Sequence, residues 1–321
     1  MQHTDILVVG GSGFIGRHIV NRLIGRGLRV TVPIRYRSRA RDLITHPTIE
    51  VVEADVHDDG VLQRLLVGRD AVINLVGILQ GERGAPYGPD FARAHVELPR
   101  RIVSFCETLQ VRRYLHMSAL GADSNGPSMY QRSKGDGEAA VKASPIDWTI
   151  FRPSVVFGPE DRFLNTFAML SRVAPLLPIA SPETQFQPIY VGDVADAFVN
   201  AMDNPATYHR TYELAGPRIY TLRELVRYAS RASGHARPVI GLPDGLARMQ
   251  AALMELAPGE PLMSRDNLDS MKRDNIASVQ PYAVAAELGI ELHPMEAEAA
   301  SYLAGMNPRA RFGSFRSRAR R

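Results

Sequence analysis

Residues 6–16 read ILVVGGSGFIG, and this stretch decides the fold of the 321-residue chain. Its first four residues, Ile6 to Val9, are apolar and mostly β-branched, which predicts a buried parallel strand. Behind the glycines, apolar residues recur at helical spacing as far as Gly27, which predicts a helix. A strand, a glycine turn and a helix in this order present backbone N–H groups and a positive helix end to a pyrophosphate. The stretch therefore predicts nucleotide binding, with a tight turn that holds no ligand as the alternative.

Three glycines of this turn have separate predicted roles. Gly10 permits the tight turn, Gly13 lets a phosphate approach the backbone, and Gly16 lets the helix pack closely against the strand. Their spacing is G-x-x-G-x-x-G, so the step between the first two is one residue longer than in the common dinucleotide fingerprint.

Length and composition restrict the class of protein. With 45% hydrophobic residues, the chain can bury one large core and a smaller lobe. No apolar run is long enough to span a bilayer, and no signal-peptide pattern is visible. The single cysteine, Cys106, lies in an apolar stretch, so we expect a core residue and a reducing, cytoplasmic compartment. The net charge is +4, but residues 309–321 hold six arginines and no acid, so the remaining chain carries −2.

Strand-like and helix-like runs alternate along the first half of the chain. After the first unit, strands are predicted at 28–32, 49–52, 71–76, 114–117, 148–151 and 188–191, and helices at 61–66, 91–109 and 129–142. This alternation predicts an α/β fold, a Rossmann-type doubly wound parallel sheet with a smaller C-terminal lobe. We predict a dinucleotide-binding domain over 1–158, to which 185–215 returns, a substrate or partner lobe over 159–184 and 216–308, and a basic tail at 309–321.

Basic residues follow the second predicted strand. An NAD enzyme places an acidic residue there against the ribose 2′-hydroxyl, but this chain has no acid before Asp42. Arg35 and Arg37 instead suit a 2′-phosphate, which guanidinium groups bind in bidentate fashion. The pattern favours NADP(H) over NAD(H), with Arg35 as the first contact and Arg37 as the second. A solvated basic loop is the alternative.

Two further strand ends carry candidate contacts. Asp55 and Val56 follow the third strand, where a carboxylate can meet the adenine amino group. Val76 and Gly77 end the fourth strand, and the small Gly77 can line the adenosine ribose. As isolated residues, all four would be ordinary turn residues.

A tyrosine and a lysine follow the fifth strand. Ser128 and Gln131 form a capping box, so a helix is predicted to begin near Met129. Tyr130 and Lys134 then share one helix face at i, i+4. A nearby ammonium favours the phenolate, so the pair is a candidate acid/base near neutral pH, and Lys134 can also hold the nicotinamide ribose. An exposed pair on a surface helix is the alternative.

Several classes of enzyme are poor candidates. The nine histidines show no metal-ligand spacing, so no metal site is predicted. There is no phosphate-binding loop of the Gly-Lys-Ser/Thr type and no G-x-S-x-G nucleophile elbow. Metal hydrolases, kinases and serine esterases therefore fit the sequence badly.

The glycine spacing together with Tyr130-x-x-x-Lys134 resembles the extended short-chain dehydrogenase/reductase family. One atypical branch, often labelled NAD-dependent epimerase/dehydratase, is similar in finer motifs over about residues 4–300. This branch includes the nucleotide-binding accessory subunit of respiratory complex I and free-standing bacterial relatives. The motifs are HMSALGA at 116–122, YQRSK at 130–134, FRPS at 151–154, FGP at 157–159 and FQPIYVGDV at 186–194.

The resemblance implies a set of cofactor contacts and shows two departures. His95-Val96 stands where the family has Asn-Val. Ser118 is the nearest hydroxyl to the family's catalytic Ser or Thr position, since Ala119 and Leu120 carry none. The predicted cofactor contacts are Gly10, Ser12, Gly13, Phe14, Ile15, Gly16, Arg35, Arg37, Asp55, Val56, Val76, Gly77, Ser118, Tyr130, Lys134, Pro153, Ser154 and Val155, and the predicted catalytic residues are Tyr130, Lys134 and Ser118.

Two functions of different classes follow. The first is an NADP(H)-binding protein with a structural, sensing or assembly role linked to the respiratory chain or to quinone metabolism. The second is an active oxidoreductase, epimerase or dehydratase that uses Tyr130 on a small or sugar-nucleotide substrate.

The C-terminal region adds a candidate membrane contact. A helix over 244–256 has a broad apolar side, which we expect to pack within the smaller lobe; its members are Leu246, Met249, Leu253, Met254 and Leu256. The tail 309–321 adds Phe312 and Phe315 to its arginines. It is either a solvated end or a contact with an anionic membrane, with nonspecific nucleic acid as a weaker rival. We expect a cytoplasmic protein, peripheral at the inner face of the membrane if the tail binds lipid.

Overall fold

The computed structural model describes residues 3–36, 47–256, 259 and 261–305. Seven strands form one sheet in the order β11-β6-β5-β4-β1-β2-β3, and every neighbouring pair is parallel. These strands are β1 (Asp5–Val9), β2 (Arg29–Ile34), β3 (Ile49–Glu53), β4 (Ala71–Asn74), β5 (Arg113–Met117), β6 (Asp147–Pro153) and β11 (Arg210–Leu214). The strand order confirms the predicted Rossmann-type α/β fold.

The chain divides into two compact units. The first contains the residues up to Pro153 together with Gly192–Leu214 and Ala283–Glu291. The second contains the described residues of Ser154–Val191, of Ala215–Tyr282 and from Leu292 to Gly305. The first segment of the first unit ends at Pro153, whereas the predicted domain extended to residue 158. The first unit also includes Ala283–Glu291, which the sequence did not suggest.

The first unit surrounds the parallel sheet with helices. Ile6, Leu7 and Val8 of β1 are fully buried, because helices cover both faces of a doubly wound sheet. The helical elements before the first break are α1 (Phe14–Gly25), α2 (Asp59–Leu66), α3 (Pro89–Phe91), a π-helical turn (Ala92–Glu97), α4 (Leu98–Leu109) and α5 (Met129–Lys142). The strand order reverses beside β1, whose neighbours are β2 and β4, so the carboxyl ends of β1 and β4 border the crevice where such sheets bind ligands.

Strand β11 completes the sheet and was not identified from the sequence. It reads RTYEL and pairs with β6, with Tyr212 opposite Phe151. As an edge strand it carries polar residues, so it lacks the continuous apolar run that reveals a central strand. The strand predicted at 188–191 is only Ile189–Tyr190 (β10), and it pairs with Val156–Phe157 (β7) in a separate two-stranded sheet.

The second unit has its own apolar core and short paired strands. Its remaining strands are β8 (Leu177–Ile179), β9 (Gln185–Phe186), β12 (Tyr220–Thr221) and β13 (Val239–Gly241). The remaining helices of the chain are α6 (Leu164–Val173), α7 (Val191–Ala201), a 3-10 turn (Pro205–Thr207), α8 (Leu222–Ala232), α9 (Asp244–Glu255), α10 (Arg265–Ser270), α11 (Pro281–Leu288) and α12 (Met295–Ala304); the 3-10 turn belongs to the first unit, and α7 and α11 extend into it.

Helix α9 corrects one expectation. Its buried face is formed by Ala247 and Ala251, which pack with Leu268. Four of the five large apolar side chains predicted to pack inward are exposed instead, from 49% at Leu246 to 82% at Leu256, and Met254 is half-buried. Small alanines allow a helix to approach its neighbours closely, so this helix packs through its alanine side. Among the described residues no helix is long and apolar enough to cross a membrane, and the tail 309–321 lies outside them.

Candidate dinucleotide-binding site

The turn between β1 and α1 has no room for side chains at its outer two glycines. Gly10 has φ +86°, and a Cβ there would lie 3.1 Å from the carbonyl carbon of Leu75. A Cβ at Gly16 would overlap the carbonyl oxygen of Gly10 and lie 2.7 Å from the carbonyl carbon of Gly11. A side chain at either position would force the loop away from β4 or from the helix. The predicted reasons for Gly10 and Gly16 therefore match the backbone geometry.

The first turn of α1 offers unpaired backbone donors to an anion. The helix begins at Phe14, its N-cap is Gly13, and no acidic residue lies in the first turn. Gly13 has no side chain to accept hydrogen bonds, so the first-turn N–H groups and the positive helix end remain available. Around them, Ser12, Phe14 and Ile15 are partly exposed. This glycine cradle fits a pyrophosphate.

Cationic groups gather beyond the ends of β2 and β3. Arg35 is exposed directly after β2, whereas Arg37 lies outside the described residues. Asp55, followed by the partly exposed Val56, accepts a hydrogen bond from the backbone of His57 and pairs with Arg93 at 3.6 Å. Burial and then the positive charge of Arg93 lower the pKa of His57, and Arg35 contributes in the same direction. Arg35 and Arg93 thus place positive charge at this edge, beside the carboxylate of Asp55.

A buried asparagine shapes the end of β4. Asn74 Oδ1 accepts a hydrogen bond from the backbone of Val76 at 3.1 Å, and its Nδ2 donates to the hydroxyl of Tyr114. Gly77 then emerges at the surface, and a Cβ on it would lie 3.3 Å from Lys134 Nζ. The sequence assigned Gly77 to the adenosine ribose and Lys134 to the nicotinamide ribose. The structure brings these two residues together, at the carboxyl ends of β4 and β5.

Lys134 is buried on α5. The capping box of Ser128 and Gln131 is present and α5 starts at Met129, as predicted. Lys134 Nζ donates to the carbonyl oxygen of Met117 at 3.1 Å. Burial lowers the pKa of Lys134 to about 8, partly opposed by the negative charge of Glu138. The ammonium is held at the carboxyl end of β5, ready for a polar ligand.

Tyr130 shares the helix face of Lys134, but its electrostatics correct the prediction. Its ring meets the ring of His95 edge to face, with centroids 5.5 Å apart. Burial raises the pKa of Tyr130 above its ordinary value. The structure therefore does not show the expected lowering of this pKa by the lysine, because burial disfavours the charged phenolate.

Ser118 uses its hydroxyl within the protein. Its Oγ donates to Glu138 Oε1 at 2.6 Å, and its backbone N–H donates to the carbonyl of Phe151. Glu138 also accepts two hydrogen bonds from Arg152, both 2.7 Å, and one from Lys142. Burial raises the pKa of Glu138, but these donors outweigh it and hold the pKa below its ordinary value. Ser118 is thus a partner of a buried carboxylate.

His95 is the site residue whose role the sequence did not reveal. It lies on the π-helical turn, four residues before Pro99, which has no N–H to donate back to the His95 carbonyl. That carbonyl packs against Gly137 of α5, where a Cβ would overlap the oxygen. The His95 ring reaches Ser133 through Nδ1 at 2.8 Å and the backbone N–H of Ile78 through Nε2 at 3.0 Å. Two signals for this residue were present in the sequence, namely its departure from the family's Asn-Val pair and the proline four residues later.

The cofactor contacts predicted at the end of β6 and directly after it form hydrogen bonds within the protein instead. The carbonyl of Pro153 accepts from the backbone of Leu120 at 3.0 Å. Ser154 and Val155 begin the second unit, where both donate to Asn275 Oδ1, at 2.6 and 3.2 Å. Within the described residues no group of three His, Cys, Asp or Glu side chains forms a metal site.

Comparison with known proteins gives consistent relatives. A family model described as the NAD dependent epimerase/dehydratase family matches residues 6–215. The chain is 31% identical over 299 residues to the mitochondrial NADH dehydrogenase (ubiquinone) 1 alpha subcomplex subunit 9 of Mus musculus, covering 90% of this chain and 77% of the relative. It is also 31% identical over 250 residues to a ceramide reductase of Caulobacter vibrioides, covering 74% of each.

Solved structures share the fold at low sequence identity. The UDP-glucose 4-epimerase of Thermus thermophilus, in complex with NAD, matches with a TM-score of 0.70 and 19% identity over 94% of this chain and 98% of that one. An epimerase of Methanothermobacter thermautotrophicus matches with a TM-score of 0.77 and 15% identity over 98% and 94%. These likenesses confirm the doubly wound parallel sheet.

Proposed function

The chain belongs to the NAD dependent epimerase/dehydratase family, and from this premise we propose that it is an NADP(H)-binding protein with a structural, sensing or assembly role linked to the respiratory chain or quinone metabolism. The single observation that carries the binding proposal is the glycine cradle, in which Gly10 and Gly16 exclude side chains beside an α1 whose N-cap is a glycine. Bound dinucleotide would stabilise the first unit by mass action.

We assign the parts of the dinucleotide to separate strand ends. The loop from Gly10 to Gly16 would hold the pyrophosphate, and Arg35 with Arg37 would hold the 2′-phosphate. Asp55 and Val56 would meet the adenine. Lys134 and Gly77 would meet the nicotinamide ribose, where the lysine ammonium can donate to ribose hydroxyls. The nicotinamide itself supplies hydride transfer where an acid and a bound substrate are present.

Two observations favour a role without turnover. Ser118 directs its hydroxyl to Glu138, and Ala119 and Leu120 carry no hydroxyl to orient a substrate carbonyl. Burial also raises the pKa of Tyr130, which makes the phenol a weaker acid. The similarity to mitochondrial NADH dehydrogenase subunits supports a respiratory-chain partner, and the basic tail supports peripheral contact with an anionic membrane at its inner, cytoplasmic face.

An active oxidoreductase is the second candidate. Tyr130 and Lys134 are both present on one face of α5, and a ceramide reductase is among the relatives. In this candidate, Tyr130 would donate a proton to a carbonyl oxygen, and Lys134 would orient the nicotinamide ribose. The substrate would be a small molecule, a sugar nucleotide or a lipid ketone.

One experiment separates the two candidates. Purified protein is incubated with NADPH and candidate carbonyl substrates for hours while the reduced nicotinamide is followed by absorbance, and melting is measured in parallel. We expect protection against melting without consumption, with Tyr130→Phe keeping the NADPH affinity of the parent. Tyr282→Phe on the exposed face of α11 is the matched control. Steep loss of turnover in Tyr130→Phe alone would establish the enzyme, and NADPH that gives no protection would refute nucleotide binding.

A further inference from the structure

We propose that His95 is a positioning residue that fixes the Gly77–Ile78 backbone beside Lys134 and so preforms the wall for the nicotinamide ribose. The inference rests on the proposed NADP(H) binding. It depends on a connection between three elements, because the His95 ring joins the end of β4 to the first turns of α5.

The hydrogen bonds define which ring nitrogen carries the proton. The hydroxyl of Ser133 donates to the carbonyl of Tyr130 at 2.9 Å, so its oxygen is the acceptor for His95 Nδ1–H. The other nitrogen, Nε2, then carries no proton and accepts from the backbone N–H of Ile78. One neutral tautomer satisfies all three bonds.

The surroundings preserve this neutral tautomer. His95 is 1% exposed, and Phe91 and Tyr130 lie against its ring with centroids 5.6 and 5.5 Å away. Burial, followed by the positive charge of Lys134, lowers the pKa of His95 well below its ordinary value. Nε2 therefore remains an unprotonated acceptor at neutral pH.

The backbone of His95 is placed just as firmly as its ring. The π-helical turn widens the helix before Pro99, and the freed carbonyl of His95 fills the space left by the missing side chain of Gly137. Gly137 is one turn beyond Ser133 on α5, so backbone and ring both attach to the same helix face. Helix α5 thus sets the position of the His95 ring, and the ring in turn positions the backbone of Ile78.

Loss of the Nε2 acceptor should affect one half of the ligand. The Gly77 backbone lies next to Lys134 Nζ, so a displaced loop alters the approach to that ammonium. The glycine cradle and Arg35 belong to other strand ends and keep their geometry. Affinity for the full dinucleotide should therefore fall, while affinity for a ligand without the second ribose should not.

Two amide variants of His95 separate the contact of Nε2 with Ile78 from the contact of Nδ1 with Ser133. His95→Gln places an amide oxygen near the position of Nε2 and can still accept from Ile78. His95→Asn places its amide near Nδ1, so it serves Ser133 but leaves Ile78 without an acceptor. Ser133→Ala is a third variant that removes the Nδ1 partner, together with the hydrogen bond of the hydroxyl to the Tyr130 carbonyl, and leaves Nε2 in place.

The test measures binding of NADPH and of adenosine 2′,5′-bisphosphate by calorimetry, with amide exchange of the Ile78 region in the ligand-free protein. We expect His95→Asn to lose about tenfold in NADPH affinity and to exchange Ile78 faster, with bisphosphate affinity unchanged. His95→Gln should behave like the parent in all three measurements. If His95→Asn does not fold, Ser133→Ala against His95→Gln carries the comparison, and a Ser133→Ala variant identical to the parent in exchange overturns the inference.

The outcomes separate this inference from the proposed function. Equal losses for both ligands would show a merely structural histidine, and unchanged NADPH binding in His95→Asn would also overturn the inference. Failure of the parent to bind NADPH would refute the proposed function and, with it, the ligand-directed role. In that case the backbone contact between His95 and Ile78 would still be identified if the Ile78 amide exchanges slowly in His95→Gln and faster in His95→Asn.

Discussion

Ser118 Oγ and Glu138 Oε1 form a hydrogen bond of 2.6 Å in the buried part of the first unit. Ser118 is 3% exposed and Glu138 is 1% exposed, so the bond is shielded from water. The bond connects the end of β5 to α5, one turn beyond Lys134. A serine with this partner supports the helix that carries Tyr130 and Lys134.

Ser118→Ala should therefore change stability more than binding. A hydrogen bond to a buried carboxylate contributes about 1–2 kcal/mol to the free energy of unfolding, and Arg152 continues to hold Glu138 after the change. We expect unchanged NADPH affinity. Urea denaturation and calorimetry measure the two quantities, and Ser104→Ala on the exposed side of α4 is the control. A large loss of NADPH affinity in Ser118→Ala with unchanged stability would indicate that Ser118 contacts the ligand.

Lys134→Met should stabilise the ligand-free protein while weakening NADPH binding. Burial lowers the pKa of Lys134 from 10.5 to about 8, so between these values the unfolded chain binds more protons than the folded one. The stability of the parent should thus rise as pH increases from 8 to 10.5, and the full cost of the buried charge applies below pH 8. Below pH 8 the variant should gain about 1–3 kcal/mol in free energy of unfolding.

Urea denaturation of both proteins at pH 7 and pH 10 measures this difference. The advantage of Lys134→Met should shrink at the higher pH, because the parent has then lost most of the buried charge. Lys142→Met on the same helix is the control, since its side chain is 39% exposed and pairs with Glu138. A stability difference that does not vary with pH would contradict the assignment.

Gly16→Ala and Gly25→Ala form a matched pair on α1. A Cβ at Gly16 would overlap the Gly10 carbonyl oxygen, so alanine should open the turn, cost about 1–3 kcal/mol and abolish most NADPH binding. A Cβ at Gly25 meets nothing within 4 Å, and alanine there should stabilise the helix by about 0.5–1 kcal/mol. Thermal melts with and without NADPH distinguish them. Full NADPH protection of Gly16→Ala would argue against the cradle.

Arg35→Ala should remove the preference for NADPH. We expect the parent to bind NADPH at least about tenfold more tightly than NADH, which corresponds to about 1.4 kcal/mol. The variant should lose most of this preference and keep its NADH affinity, because only the 2′-phosphate distinguishes the two cofactors and Arg35 is its first contact. Arg29→Ala is the control, since Arg29 begins the same strand and pairs with Asp5. Calorimetry that gives equal affinities in the parent would refute the NADP(H) assignment.

Deletion of residues 309–321 should abolish binding to anionic vesicles. The deletion removes six arginines, and each basic residue near an anionic surface contributes about 1 kcal/mol to the free energy of membrane binding. We expect cosedimentation with phosphatidylserine vesicles at low salt, its loss at high salt, and its loss on deletion. Vesicles of neutral lipid are the control. If the protein still cosediments with the vesicles after the deletion, another surface binds the lipid, such as the exposed leucines of α9.

Local patterns were sufficient for much of the fold. The strand–turn–helix at the N-terminus, six of the seven strands of the parallel sheet and the start of α5 at Met129 were predicted from the sequence, because each depends on residues close in sequence. Gly10 and Gly16 could likewise be assigned, because a glycine turn between a strand and a helix has few geometries. The edge strand β11 was missed because its polar residues hide the apolar run.

Residues close in sequence were enough to predict the Rossmann-type sheet, the glycine cradle and the shared helix face of Tyr130 and Lys134, since backbone periodicity and helix capping act within a few residues. The three-dimensional fold set the pairing of Ser118 with Glu138 and the contacts of His95 with Ile78 and Ser133. It also decided that burial raises the pKa of Tyr130. The physical reason is that hydrogen-bond partners and desolvation come from segments distant in sequence, which no local pattern specifies.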